Sequence, residues 1–315
     1  MKIIKLIIIN TLILLILSFI GTELFYIHKY QTQHYFKPEF KIENYYNLLF
    51  HPISTEDYFN RLYERKRLGN VTTPFFRNDY NVTSDKKPIL FLGDSYTWGE
   101  ELEEEETVSA QFAKLTKRPT FNRGGKGWGF SQLLYQLRDK KIYEQIPEPE
   151  YIIYTFISDH FYRIYKFKEN PVTINFQPKY SLNKQNQLIE EKPHFWDSFL
   201  SISDFQYYYG YRFKSDNESN KIAKIYLLSA KEEFQKNWKN TKFVILKYPS
   251  GFDDRHLDSP IFKELEQEGF IILDARKLVN IDLLDKQYRA KDGWHPNAKA
   301  WEILLPELIK ELNIN

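Results

Sequence analysis

Residues 87–99 read KPILFLGDSYTWG, and the fold turns on this stretch. Pro88 to Leu92 is a five-residue apolar run, too short for an ordinary helix and closed by Gly93. That pattern predicts a strand buried on both faces, running straight into a turn and then a helix start at Asp94-Ser95. The same kind of strand is predicted at Tyr151–Phe156, Phe243–Tyr248 and Phe270–Asp274. Between them, helical spacing appears at Val108–Leu115, Ile261–Glu268 and Ala298–Leu312. Strands alternating with helices require crossover connections. The predicted fold class is therefore α/β: a three-layer parallel sheet with helices on both faces. In such sheets functional groups gather outside the carboxyl ends of the strands. Gly93, Ser158, Pro249 and Ala275 each fall just past a strand end and share one rim.

The composition narrows the choices. The chain has 315 residues, enough for a large core without staples. Lys and Arg number 44 against 42 Asp and Glu, a net charge of +2 that gives no reason to expect a nucleic-acid partner. Cys is absent, which removes disulfides, thiol nucleophiles and thiolate metal sites.

The N-terminus carries the apolar run LIIINTLILLILSFIG at 6–21. Counted from Ile3, with Lys5 snorkelling, it reaches 19 residues, near the ~20 needed to span a bilayer as a helix. Ser18 to Glu23 offers no small-x-small cleavage pair, so the run reads as an uncleaved anchor over 1–25 rather than a signal peptide. Lys2 and Lys5, clustered ahead of the run, tilt the N-terminus toward the cytoplasm. Residues 26–86 read as a membrane-proximal stalk or cap, with a short helix over Tyr58–Arg67 and a loop over Asn70–Ser84. The α/β domain occupies 87–315, interrupted at about 161–220 by an aromatic-rich insertion.

Three motifs carry chemistry. Gly93-Asp94-Ser95 follows the first strand; Gly permits a sharp turn, Ser95 is placed for a nucleophile, and the following amides can face an oxyanion. Asp292-Gly-Trp-His295-Pro296 precedes the last helix, and its spacing can set a carboxylate beside an imidazole. Between them lies Asn122-Arg-Gly-Gly-Lys-Gly127-Trp-Gly129, which holds four of the twelve glycines. It matches neither a P-loop, since Gly125-Lys126 is followed by Gly127, nor a dinucleotide fingerprint. Each motif alone is also an ordinary turn or cap. Their order within one α/β domain is the stronger observation.

Together they resemble the SGNH (GDSL-type) hydrolase family over about residues 87–315. The resemblance implies a flavodoxin-like fold, Ser95 as nucleophile, His295 as base, Asp292 as its partner, and an oxyanion hole from the amides of Ser95 and Gly127. The family's Gly-x-Asn-Asp block, whose Asn donates to the oxyanion, departs here to Phe156-Ile157-Ser158-Asp159-His160, so Ser158 or His160 becomes the candidate third donor. The implied activity is a serine esterase that needs no metal or cofactor and acts on a small O-acyl ester. With an N-terminal anchor, an envelope polysaccharide becomes the implied substrate and the membrane a partner, with the catalytic domain outside the cytoplasm. Two alternatives stay open: an O-acyltransferase using the same triad, and a non-catalytic glycan-binding or assembly protein on the same fold.

Other conspicuous residues read as structural. Glu100–Glu106, with six carboxylates in seven residues, is a solvated helix approach. The remaining His residues show no metal-ligand spacing. Tyr207-Tyr208-Tyr209 is read as packing before sugar stacking.

Overall fold

The computed structural model describes residues 2–32, 77, 79–164, 179–191, 216–251 and 254–314. Helix α1 (Lys2–Thr32) is followed by strand β1 (Ile89–Gly93), α2 (Ser95–Trp98), α3 (Val108–Thr116), β2 (Thr120–Gly124), α4 (Phe130–Arg138) and α5 (Lys140–Gln145). Then come β3 (Tyr151–Phe156), α6 (Asp159–Arg163), β4 (Lys179–Leu182), β5 (Leu188–Glu191) and α7 (Asp216–Gln235). β6 (Lys242–Lys247), α8 (Ile261–Gln267), β7 (Ile271–Asp274), α9 (Ala275–Leu278) and α10 (Ala298–Glu311) close the domain.

Five strands form one parallel sheet in the order β2-β1-β3-β6-β7. Counted along the chain within this sheet, that is the flavodoxin-like order 2-1-3-4-5. The strands predicted from apolar runs are present, and β1 and β3 are buried at every position. Their alternation divides the core. Leu90, Leu92, Ile152 and Tyr154 face a layer holding α4 and α7, whereas Ile89, Phe91, Ile153 and Val244 face α3 and α10. Both faces are apolar because both are covered by helices. Asn122 and Gly124 fall within β2, so the loop that follows is confined to 125–129. The Glu-rich segment forms a short 3-10 turn at Glu104–Glu106 that leads into α3, with Glu104 paired to Arg77.

The described part of the 161–220 insertion contains the end of α6, the antiparallel hairpin β4-β5 and the start of α7. Tyr207–Tyr209 and the Tyr58–Arg67 helix lie outside the described residues. Helix α1 is 31 residues long. Its side chains are described from 8 to 22 and at 24, and its Ile and Leu side chains among them, such as Ile9, Leu14 and Leu17, are exposed. Among the described residues no helix is long and apolar enough to cross a membrane.

Candidate active site

The chain leaves β1 for β2 on one side and reaches β3 on the other, so the carboxyl end of β1 is the switch point of the sheet. Gly93 sits there with φ +149°. A Cβ on it would come within 2.3 Å of Thr97 Oγ1 and 3.0 Å of the Thr155 carbonyl, so only glycine fits. Asp94 caps α2 by accepting the Tyr96 N–H at 3.0 Å. Ser95 is the first residue of α2, where amides have no partner within the helix.

The structure brings Ser95, His295 and Asp292 into one hydrogen-bonded row across 200 residues of sequence. His295 Nε2 accepts from the Ser95 hydroxyl at 2.8 Å, and its Nδ1–H donates to Asp292 Oδ2. Asp292 Oδ1 meanwhile accepts the N–H groups of Trp294 (2.8 Å) and His295 (3.1 Å). Burial alone would raise the Asp292 pKa, but His295 and these amides outweigh it and hold the carboxyl at about 2. Asp292 therefore stays ionised and fixes the His295 tautomer that leaves Nε2 free to take a proton.

The loop carrying this pair is tied down through its backbone. Arg289 and Pro296 form an antiparallel bridge, and Ala290 N–H donates to the His295 carbonyl at 2.8 Å. Gly293 supplies the positive φ of the turn, +77°. The Trp294 carbonyl accepts from the Tyr96 hydroxyl (2.9 Å) and from Arg289, whose other nitrogen reaches the Ser250 carbonyl at 3.3 Å. Tyr96 thus links the nucleophile's helix to the loop of its base, and its ring lies 5.2 Å from that of His295.

Gly127 lies on the other side of Ser95. Trp128 N–H donates to the Gly125 carbonyl at 3.2 Å, closing a turn in which Gly127 takes φ +71°. Gly125 N–H donates to the Gly93 carbonyl at 3.1 Å, which joins this turn to the end of β1. Asn122 holds the strand behind it, donating to the Thr97 carbonyl (2.8 Å) and accepting the Gly124 N–H (3.0 Å).

The departing block after β3 takes a different part. His160 is fully buried. Its Nδ1 meets the Tyr154 hydroxyl at 2.8 Å, and its Nε2 faces Asp94 Oδ2 at 3.4 Å. Burial depresses its pKa, only partly opposed by Asp94, so the ring is neutral at pH 7 and both nitrogens face protein groups. The ring packs against Phe130, Tyr154 and Phe156. Ser158 Oγ is buried without a hydrogen-bond partner at the start of α6. Arg163, which sequence reasoning passed over, donates through Nη1 to Asp94 Oδ2 (3.0 Å) and to the Trp128 carbonyl (2.6 Å). Its only sequence signal is the His-x-x-Arg spacing, which sets His160 and Arg163 on one helical face. Asp94 lies fully buried among these groups; desolvation pushes its pKa up, but His160, Arg163 and the Tyr96 amide pull it down to about 2. Among the described residues no group of three or more His, Asp or Glu is placed to hold a metal ion.

A serine backed by His and Asp at the carboxyl edge of a parallel sheet is the arrangement seen in serine hydrolases. No family model and no curated protein matches the chain. Among solved structures it is similar to the acetyl xylan esterase Est2A of the rumen bacterium Butyrivibrio proteoclasticus, with 13% identity and a TM-score of 0.45 over 74% of this chain and 65% of that one. It is also similar to the lipase Lip_vut3 from a goat rumen metagenome (13%, 0.45, covering 71% and 97%). A catalytic mutant of Axe2, an acetylxylan esterase from Geobacillus stearothermophilus, gives 13% and 0.43 over 75% and 98%.

Proposed function

We propose that this protein is a serine esterase that hydrolyses a small O-acyl ester. The observation that carries the reading is the Ser95–His295–Asp292 row, with Nε2 2.8 Å from the nucleophile. Ser95 Oγ attacks the ester carbonyl while His295 takes its proton; the imidazolium, stabilised by Asp292, then protonates the leaving alcohol. Water enters and attacks the acyl carbonyl as His295 takes its proton; the bond to Ser95 Oγ then breaks, the imidazolium returns the proton to Ser95, and the acyl group leaves as the free acid. The amides of Ser95 and Gly127 hold the oxyanion in both tetrahedral intermediates. Ser158, whose buried hydroxyl lacks a partner, is the candidate third donor.

The substrate in this reading is an acylated envelope polysaccharide. Trp294, half-exposed beside His295, offers an aromatic face for a sugar ring. The apolar run of α1 anchors the chain in the membrane, with the α/β domain outside the cytoplasm. The exposure of Ile8, Ile9, Leu12 to Leu17, Ile20 and Leu24 along it supports this.

A fluorophosphonate probe and a p-nitrophenyl acetate assay test the activity. Labelling of wild type that disappears in Ser95→Ala supports it; a folded wild type that neither labels nor hydrolyses overturns it. Free acid as the product from an acylated glycan supports hydrolysis, whereas an acylated acceptor sugar would make the enzyme a transferase. Full-length protein should stay with membranes through a carbonate wash, and release by that wash would overturn the anchor.

A further inference from the structure

We infer that Arg163 is a positioning residue that sets the spacing between the two amides of the oxyanion hole; this rests on the esterase reading above. The turn bearing Gly127 has two fixed ends. One is the Gly125 N–H on the Gly93 carbonyl at 3.1 Å, a backbone contact available to any sequence with this loop length. The other is the Trp128 carbonyl, held by Arg163 Nη1 at 2.6 Å. The same nitrogen reaches Asp94 Oδ2 at 3.0 Å. Asp94 is the cap that orders α2 immediately before Ser95, and its other oxygen holds the Tyr96 N–H. One guanidinium nitrogen therefore ties the turn on one side of the oxyanion to the cap on the other.

Its surroundings hold it to that task. The Arg163 side chain is 10% exposed, and its second nitrogen lies 3.7 Å from Asp159 on the same helix. Gly129 packs so close to it that an added Cβ would stand 3.2 Å from Arg163 Cβ, so the loop and α6 are in contact through backbone as well as side chain. His160 approaches the same Asp94 oxygen from beneath at 3.4 Å. The chemistry suits Arg rather than Lys, because a planar guanidinium with several fixed N–H directions can serve two acceptors at once. In this chain the segment after β3 thus holds the hole in place through Arg163, whether or not it supplies a donor of its own.

Arg163→Gln removes the charge and one of the two contacts. Misplacing one donor by a fraction of an ångström is expected to lower kcat by about 10- to 100-fold, while KM for a short p-nitrophenyl ester changes by less than about twofold, since the contact matters chiefly where the oxygen carries charge. Arg163→Lys should recover part of the loss. Titration with the fluorophosphonate separates positioning from folding. Its final stoichiometry counts folded sites and should match wild type, while its rate should fall in step with kcat/KM. Hydrogen exchange over 124–129 should accelerate in Arg163→Gln. An Arg163→Gln variant with wild-type kcat and labelling rate, or one whose loss is fully explained by lower stoichiometry, overturns the inference and leaves the esterase reading intact. A wild type that neither labels nor hydrolyses overturns both.

Discussion

On one side of Ser95, the base and the carboxylate that orients it come from a single loop, Arg289–Pro296, whose backbone closes on itself through a bridge and the Ala290–His295 hydrogen bond. On the other side, the Gly125–Trp128 turn is held from β1 by a backbone contact and from α6 by the Arg163 side chain. The first side is local in sequence and largely a matter of main chain. The second joins three segments through buried polar groups, the charged Asp94 and Arg163 and the neutral imidazole of His160. Damage should therefore appear differently on the two sides: as lost chemistry on the first, and on the second as lost stability with a smaller loss of rate.

The largest effects belong to the first side. Ser95→Ala and His295→Ala are each expected to lower kcat for p-nitrophenyl acetate by about 10⁴-fold or more, with the double variant no worse than either single one, because the residues act as one unit. Asp292→Asn should cost about 10⁴-fold through the wrong imidazole tautomer, and circular dichroism should show the fold unchanged. Steady-state kinetics check all three. Multiplying losses in the double variant would break the assignment of Ser95 and His295 to one relay.

That asymmetry also decided what the sequence could tell. β1 and β3 were legible because five or six apolar residues in a row, buried on both faces, have few other homes. Asp292 and His295 were legible because they stand three positions apart and a helix follows. Helix α4 was not, because Gln132 and Gln136 lie buried on it and interrupt the apolar period; Gln132 holds the Gly129 N–H and Gln136 the Arg123 carbonyl. The surroundings of His160 were hidden for a related reason. Its position just past a strand end matched the rim, but only the packing of Phe130, Tyr154 and Phe156 against its ring shows that it points inward. Arg163 acquires its role through two tertiary partners, Asp94 and the Trp128 carbonyl, and one-dimensional spacing supplies neither.

The second side offers a test of intermediate size. His160→Ala removes a ring packed among three aromatics and leaves the Tyr154 hydroxyl without its partner. The combined cavity and unsatisfied donor should cost about 2–4 kcal/mol in urea unfolding. Tyr154→Phe, which deletes only the hydroxyl and strands Nδ1, should cost about 1–2 kcal/mol. In both, kcat per titrated site should fall less than about tenfold, since neither residue meets the oxyanion. A His160→Ala variant of wild-type stability that loses 10²-fold or more in kcat would return His160 to the hole and dissolve the contrast between the two sides.

The smallest effect concerns acid, and it compares the two carboxylates directly. Asp94 and Asp292 are each held at about 2, below the ~3.9 of an unfolded Asp. A depressed carboxylate makes the unfolded chain the better proton acceptor, so its contribution is present above pH ~4 and is lost as pH falls toward 2. Asp94 is fully buried, and two of its partners, Arg163 and His160, come from a distant segment that separates from it on unfolding, so its share should be the larger, on the order of 2 kcal/mol. Asp292 keeps two amides of its own loop as partners, and those remain near it even when the domain loosens. Asp292→Asn should therefore leave most of the decline between pH 4 and 2 in place. His160→Gln weakens the hold on Asp94 and should flatten the decline between pH 4 and 2. Urea midpoints measured across that window decide it: a decline abolished by Asp292→Asn would place the acid-sensitive charge on the loop side, opposite to where the burial of Asp94 puts it.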